Sequence, residues 1–261
     1  MLVAPGLAYC GTIKGNTLFS GSASQATSYK TGKYKKACGP EIPNESILVD
    51  NKGVKNVVIS LHGKKLKKKT GGYKLDQKKC QYEPHVITMP VDSELKIHTS
   101  DPINHNIHTY SFENDPINIM FIPGQGAYSQ EMEEAEIIKV ECDLHSWMRA
   151  WIVVQEHPFY AVTDASGQFT LTDVPAGTYT IEEIQQAGWV QTAPATVLQT
   201  VKICGKPDEE NVTFVSFGNS NCECESDQKV DCIYGNLNAT PGAELLSLLS
   251  SVPSGFTTQI D

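Results

Sequence analysis

The chain has 261 residues, of which 40% are hydrophobic and 20% charged, and it carries a net charge of −9. This length accommodates two domains of roughly 100–200 residues or one large one, and the composition supplies a packed core, which excludes wholesale disorder. The acidic balance speaks against nucleic acid as a general partner, and no run of about 18 apolar residues is present to span a membrane as a helix.

Gly (20), Pro (14) and β-branched residues are plentiful and helical periodicity is scarce, so the chain reads as all-β. Residues 1–9 (MLVAPGLAY) lack a basic start. With Cys10 they read either as the remnant of a secretion signal, cleaved near Cys10–Gly11, or as an ordinary first strand. Residues 11–20 (GTIKGNTLFS) predict a strand, and 21–36, rich in Ser, Thr and Lys, a loop. VKNVVISL at 54–61 is a further strand. From Lys52 to Lys79 stand ten Lys against one acid, Asp76, so this segment carries +9 and the remainder −18. It reads as a solvated hairpin loop or as a docking patch for an acidic partner.

Residues 80–99 predict two strands joined by a Pro-Val-Asp-Ser turn, and 101–128, with three Pro and two Gly, are loop-rich. Residues 129–154 hold an acidic stretch, a strand (IIKVEC), a tight segment (DLHSWM) and the strand AWIVVQ. Over 159–218, Asp-Ala-Ser-Gly and Pro-Ala-Gly turns separate short strands at hairpin spacing. Residues 219–261 turn to Asn, Ser and Cys before AELLSLLSSV, which reads as a short helix of no assigned role.

Eight cysteines suit an oxidising compartment, periplasmic or extracellular. If Cys10 leaves with a signal, seven remain and one lacks an intramolecular partner; Cys142 is the candidate. Cys204, Cys222, Cys224 and Cys232 lie within 29 residues and can bridge one another. That leaves Cys38 and Cys80 to pair. A Cys80–Cys142 bridge is the alternative, and the connectivity stays open at this point.

His105, Cys142, His145 and Met148 stand apart from the rest. Two imidazoles, one thiolate and a thioether are the ligand set of a mononuclear electron-transfer copper site, with the Met weak and axial. Cys142, His145 and Met148 are three residues apart each time, at the end of one strand and in the turn after it. His105 comes from a distant loop. Asn106 follows it, and its amide is placed to tie that loop to the Cys loop and to donate to the thiolate. Trp147 is either an apolar rim around an exposed ligand edge or plain core packing. His108 lies three residues after His105, on the opposite face of an extended strand, and is not a ligand candidate. His62, His85, His98 and His157 have no partner at metal spacing. Asp164 and Asp173 are turn residues, too few per turn for the oxygen-rich shell of calcium.

The stretch PINHNIH followed by ECDLHSWMRAWIVV resembles the small blue copper proteins, the cupredoxins. The short Cys-x-x-His-x-x-Met loop is most similar to the amicyanin-like members, in the broader amicyanin/plastocyanin group. CQYEPHVITMPVDSELKIHTSDPINHNIHTY aligns with their approach to the first His, so the likeness covers about residues 72–155. It implies a Greek-key β-sandwich over 72–156 and one type 1 copper on His105, Cys142, His145 and Met148. It implies single-electron transfer, with the electron leaving through an exposed edge of His145. Trp147 stands where amicyanin has a smaller aromatic.

VTDASGQFTLTDVPAGTYTIEEI resembles the carboxypeptidase-regulatory-like (transthyretin-like) sandwich, and GWVQT…VSFGN is similar to the B-type repeat of bacterial surface proteins. The resemblance implies a second, Ig-like β-sandwich over 157–218. Residues 11–71 then supply its first strands, with the copper unit inserted at a loop. The alternative is two tandem domains. Pairing of strands near 11–18 and 56–61 with 168–184 marks the insertion, and pairing with 137–154 marks the tandem form.

The expectation is a periplasmic or extracellular electron-transfer protein, not an enzyme, that binds copper and docks a redox protein such as a c-type cytochrome. The rival is a non-redox structural or adhesive surface protein, a component of a surface assembly, with the cupredoxin unit as scaffold.

Overall fold

The computed structural model describes residues 10–19, 27–46, 48–63, 70–184, 189–193, 198–203 and 212–221. Residues 1–9, the lysines of 64–69, Cys204, Cys222, Cys224, Cys232 and the helix expected near the end lie outside them. Among the described residues the elements are strands, apart from a 3-10 turn at Gly32–Tyr34 and one helical turn at Lys35–Cys38.

Strands from both ends of the chain share two sheets. Cys10–Phe19 runs antiparallel to Gln168–Pro175 and parallel to Val212–Asn221. Val58–His62 runs antiparallel to Tyr160–Val162 and to Gly177–Glu183. These partners fall in 160–183 and 212–221 and not in 137–154. One core forms between the two sheets, with Ile13, Ile59, Leu61, Phe169, Leu171 and Ile181 buried together. The Asp164–Gly167 turn is fixed by Asp164, whose Oδ1 accepts the backbone N–H groups of Ser166 (2.8 Å) and Gln168 (2.9 Å). Gly167 has φ +76°, and a Cβ there would stand 2.5 Å from the Thr17 carbonyl oxygen, so the turn requires glycine.

The chain between these halves folds around a second core. One sheet has the order Tyr128–Met132, Ser93–Thr99, Gly72–Lys78, Gln81–Glu83. The other has the order Asn118–Phe121, His105–Tyr110, Glu136–Glu141, Arg149–Gln155, Val86–Pro90. Alternation places Leu95 and Ile97 of the first sheet against Ile107, Ile138 and Ile152 of the second, all buried. Val86–Pro90 pairs parallel with Arg149–Gln155, while Ser93–Thr99 pairs parallel with Gly72–Lys78. The Pro-Val-Asp-Ser link therefore crosses from one sheet to the other and does not close a hairpin. The span 101–128, expected to be loop-rich, contains the strands His105–Tyr110 and Asn118–Phe121. Its prolines at 102, 116 and 123 stand outside those strands, where a missing N–H costs no ladder bond.

The two cores meet at polar contacts. Ser60 Oγ donates to Gln155 Oε1 at 2.5 Å, and the Tyr73 and Tyr160 hydroxyls are 3.2 Å apart.

Residues 27–43 depart from expectation. They are not a loop of the outer unit but a strap on the inner one. Ser28–Lys30 pairs with Glu41–Pro43, and the turn between them carries Cys38. Cys38 is disulfide-bonded to Cys80, with Cα atoms 5.4 Å apart, and Cys38 and Ile42 join the core that holds Leu75. Thr31 holds the strap's shape by donating its hydroxyl to the Gly39 carbonyl.

Candidate metal centre

The five-stranded sheet brings the separated residues together. His105 opens its strand, and register pairing of His108 with Glu141 sets the end of the Glu136–Glu141 strand beside it. Cys142 follows at once. The turn after it is closed by its own backbone: His145 N–H donates to Cys142 O (3.2 Å), Met148 N–H to His145 O (2.9 Å), and Cys142 N–H to Met148 O (3.2 Å). The three-residue spacing is thus the spacing of these turn bonds.

His105, Cys142 and His145 are 0%, 3% and 1% exposed, and one ligand atom from each lies within 4.8 Å of the others. The two Nδ1 atoms face each other at 3.1 Å, and Cys142 Sγ is 3.6 Å from His145 Nδ1. Two imidazole nitrogens at that distance need a proton or a metal cation between them. Met148 is 1% exposed in the same core cluster as Cys142.

A second ring of groups orients the first. His105 Nε2 lies 2.9 Å from Asp101 Oδ2, and donating its proton there leaves Nδ1 free to face the cluster. The same carboxylate accepts the backbone N–H groups of Lys79 and Cys80, both at 2.6 Å. Those two residues have φ of 51° and 58°, which fits the two-residue turn between Gly72–Lys78 and Gln81–Glu83. Asn106 joins the loops: its side chain accepts from Asp143 N–H (2.6 Å) and donates to Asp143 Oδ2 (2.8 Å). Its backbone N–H, not the side-chain amide, points at Cys142 Sγ at 3.5 Å. The buried Tyr82 hydroxyl shares its proton between the carbonyls of Asn106 and Glu141, at 2.7 and 2.9 Å.

Electrostatics favour a thiolate. Burial raises the Cys142 pKa, but His105, His145 and the N–H groups of Asn106 and Leu144 outweigh it and bring it down to about 6. Burial also works against a charged His105, and Asp101 and Cys142 outweigh that, raising it above the ordinary histidine range.

The outer side of the site corrects one expectation. His145 has no exposed edge. The Tyr34 ring of the strap lies 4.3 Å from it, centroid to centroid, and the Trp147 ring 5.2 Å. Trp147 is half-buried beneath the strap and donates its indole N–H to Cys80 O at 3.1 Å, so it is packing and not an exposed rim.

The remaining histidines stay apart from the cluster. His108 meets Asp143, His62 meets Glu182, His85 meets Glu45 and His98 meets Asp76. Cys80, Asp101 and His105 form a second close group, but the Cys80 sulfur is committed to Cys38 and offers no thiolate. Cys142 is free. Sequence reasoning missed Asp101 and Tyr34. Asp101 could have been noticed four residues before His105. Tyr34 was reachable only through the Cys38–Cys80 pairing, which carries the strap to the site.

Fold and site together define a class: an all-β protein with a buried two-histidine, one-thiolate cluster in its inner unit. No known family profile matches the chain, and no curated protein matches it. Solved structures resemble about a third of it, and they are copper proteins. A Cu-containing nitrite reductase (NirK) from Thermus scotoductus SA-01 is similar over 33% of this chain, at 15% identity and TM-score 0.31. The chain spans only 23% of that enzyme's length. A purple cupredoxin from Nitrosopumilus maritimus is similar over 32% of this chain and 99% of its own, at 19% identity and TM-score 0.28. A mutant of amicyanin in its reduced state is similar over 32% and 82%, at 24% identity and TM-score 0.29.

Proposed function

We propose that the chain is an electron-transfer protein holding one type 1 copper on His105, Cys142 and His145, with Met148 as the weak axial ligand. The observation that carries this reading is the convergence of one free cysteine and two histidines, all buried, within 4.8 Å. Copper bound there would cycle between Cu(I) and Cu(II), passing one electron.

The chain's own residues suit that task. Cys142 offers a thiolate at neutral pH, and the Asn106 N–H moderates its charge. Asp101 holds the His105 ring in one orientation. The turn bonds and the two sheets hold the donors in one arrangement for both oxidation states, which keeps the rearrangement on electron transfer small. Burial keeps water from the donors. A Cys80–Cys142 bridge would have left a scaffold without a thiolate, but Cys80 is bonded to Cys38.

The outer strands, within 10–19, 49–62 and 160–221, form a second sandwich in this reading, transthyretin-like in build, with the copper unit inserted between its halves. The strand pairings support it. The disulfide supports an oxidising compartment, periplasmic or extracellular. No helix among the described residues is long and apolar enough to cross a membrane. Voltammetry of the copper-loaded chain tests the function: a reversible one-electron wave, absent in Cys142→Ser, is expected. Copper that binds but cannot be cycled would overturn it.

A further inference from the structure

The strap that closes the site also changes where a partner must sit. His145 is 1% exposed, and its Nε2 is buried with no hydrogen-bond partner, so this ring does not itself reach a partner's surface. The ring laid over it from outside is Tyr34, which is partly exposed. Over Tyr34 lies Lys33, its Nζ 5.0 Å from the ring centroid. His145 thus contacts Tyr34, which is partly exposed and in turn contacts the exposed Lys33.

Charge marks the same face. The strap, residues 27–43, carries Lys30, Lys33, Lys35 and Lys36 against one acid, Glu41, which stands opposite Lys30 in the ribbon, in a chain of net charge −9. All four lysines are exposed. Lys79, also exposed, is adjacent to Cys80 and so is tied to the strap by the disulfide. The disulfide, the Ser28–Lys30 and Glu41–Pro43 ribbon and the Thr31 bonds hold this face to the site.

We propose that the strap face bearing Lys30, Lys33, Lys35 and Lys36 docks an acidic one-electron redox protein, with Tyr34 as the contact between that partner and His145. The proposal rests on the copper reading of the site and names the partner's chemistry. Copper held by His105, Cys142 and His145 would supply one electron to the partner's redox centre, Cu(I) going to Cu(II), with no bond or proton exchanged. A field of lysines over the exit speeds encounter with an acidic face and orients it.

The test is binding of the soluble haem domain of cytochrome b5, a one-electron protein with an acidic face, to the metal-free full chain. Reading binding without metal keeps it separate from the copper reading, which fails or holds in a copper titration. Association is expected at about 10 mM salt and should weaken toward about 150 mM. The K33E/K35E/K36E variant should bind about tenfold or more weakly, and K14E/K52E/K55E, with the same charge change elsewhere, less than about threefold more weakly. Lys14, Lys52 and Lys55 are exposed and lie off the strap, so both variants keep the buried cores. Equal loss in the two variants, no loss in the strap variant, or no association at low salt would each overturn the proposal.

Discussion

The ring of Tyr34 meets the imidazole of His145 edge-on, with centroids 4.3 Å apart and planes inclined by 69°. One comes from the strap and the other from the turn after Cys142, and the Cys38–Cys80 bond holds them in contact. The candidate copper centre is thereby closed on the side where its sequence resemblance implied an open ligand edge.

Removing the ring should open that side. Tyr34→Ala is expected to speed copper removal by an external chelator about fivefold or more, at a stability cost of about 1–2 kcal/mol for a half-buried ring. Tyr34→Phe keeps the ring and should leave the removal rate near wild type. Stopped-flow chelation of the copper-loaded variants measures both.

The strap's tether gives a second prediction. The disulfide spans 42 residues, for which chain entropy predicts stabilisation of up to about 4 kcal/mol. Cys38→Ser with Cys80→Ser should lower the unfolding free energy by about 2–4 kcal/mol in urea titrations and raise the chelation rate as Tyr34→Ala does. Unchanged chelation would mean that the strap stays seated without the bond.

Much of the centre was legible in the sequence because its spacing is local chemistry. Cys142, His145 and Met148 are set by one turn whose backbone bonds recur at the same interval, and the mixed donor types pointed to copper. Asp101 was missed because a carboxylate beside a proline reads as turn chemistry until the turn it caps, at Lys79 and Cys80, is placed next to it. The strap was missed because Ser, Thr and Lys over 21–36 carry no strand alternation. Its place is set by a disulfide and by Ile42 and Cys38, which are far from the site in sequence. The outer strand pairings followed the turn residues, since Asp164 and Gly167 fix where Gln168–Pro175 begins.

Asp101→Asn should weaken copper binding about 10- to 100-fold. The amide can accept through only one atom, so the His105 bond and the two turn N–H groups can no longer all be served. Burial raises the Asp101 pKa, and His105 with the Cys80 and Lys79 N–H groups outweighs it and holds it below the ordinary carboxylate value. Its contribution to stability is therefore present above about pH 4 and lost as pH falls through the lower folded value. Competition titration against a chelator of known affinity and acid unfolding of the metal-free chain check the two halves.

A separate loss should occur at milder acidity in the outer part of the chain. Burial, and then the nearby His62, hold His157 at a pKa of about 4, against an ordinary value of 6.5. The unfolded chain takes up this proton first. The contribution is complete above pH 6.5 and declines as pH falls toward about 4, by about 1 kcal/mol once solvent around the half-buried ring is allowed for. His157→Gln should flatten unfolding free energy over that window. A slope unchanged by the substitution would place the proton elsewhere.

The most direct test is the visible spectrum of the metal-free chain as one equivalent of Cu(II) is added. The account predicts an intense blue or purple thiolate-to-copper charge-transfer band that saturates at one copper per chain and is missing in Cys142→Ser. A chain that stays colourless through one equivalent, or colours equally without Cys142, would contradict a type 1 copper on His105, Cys142 and His145.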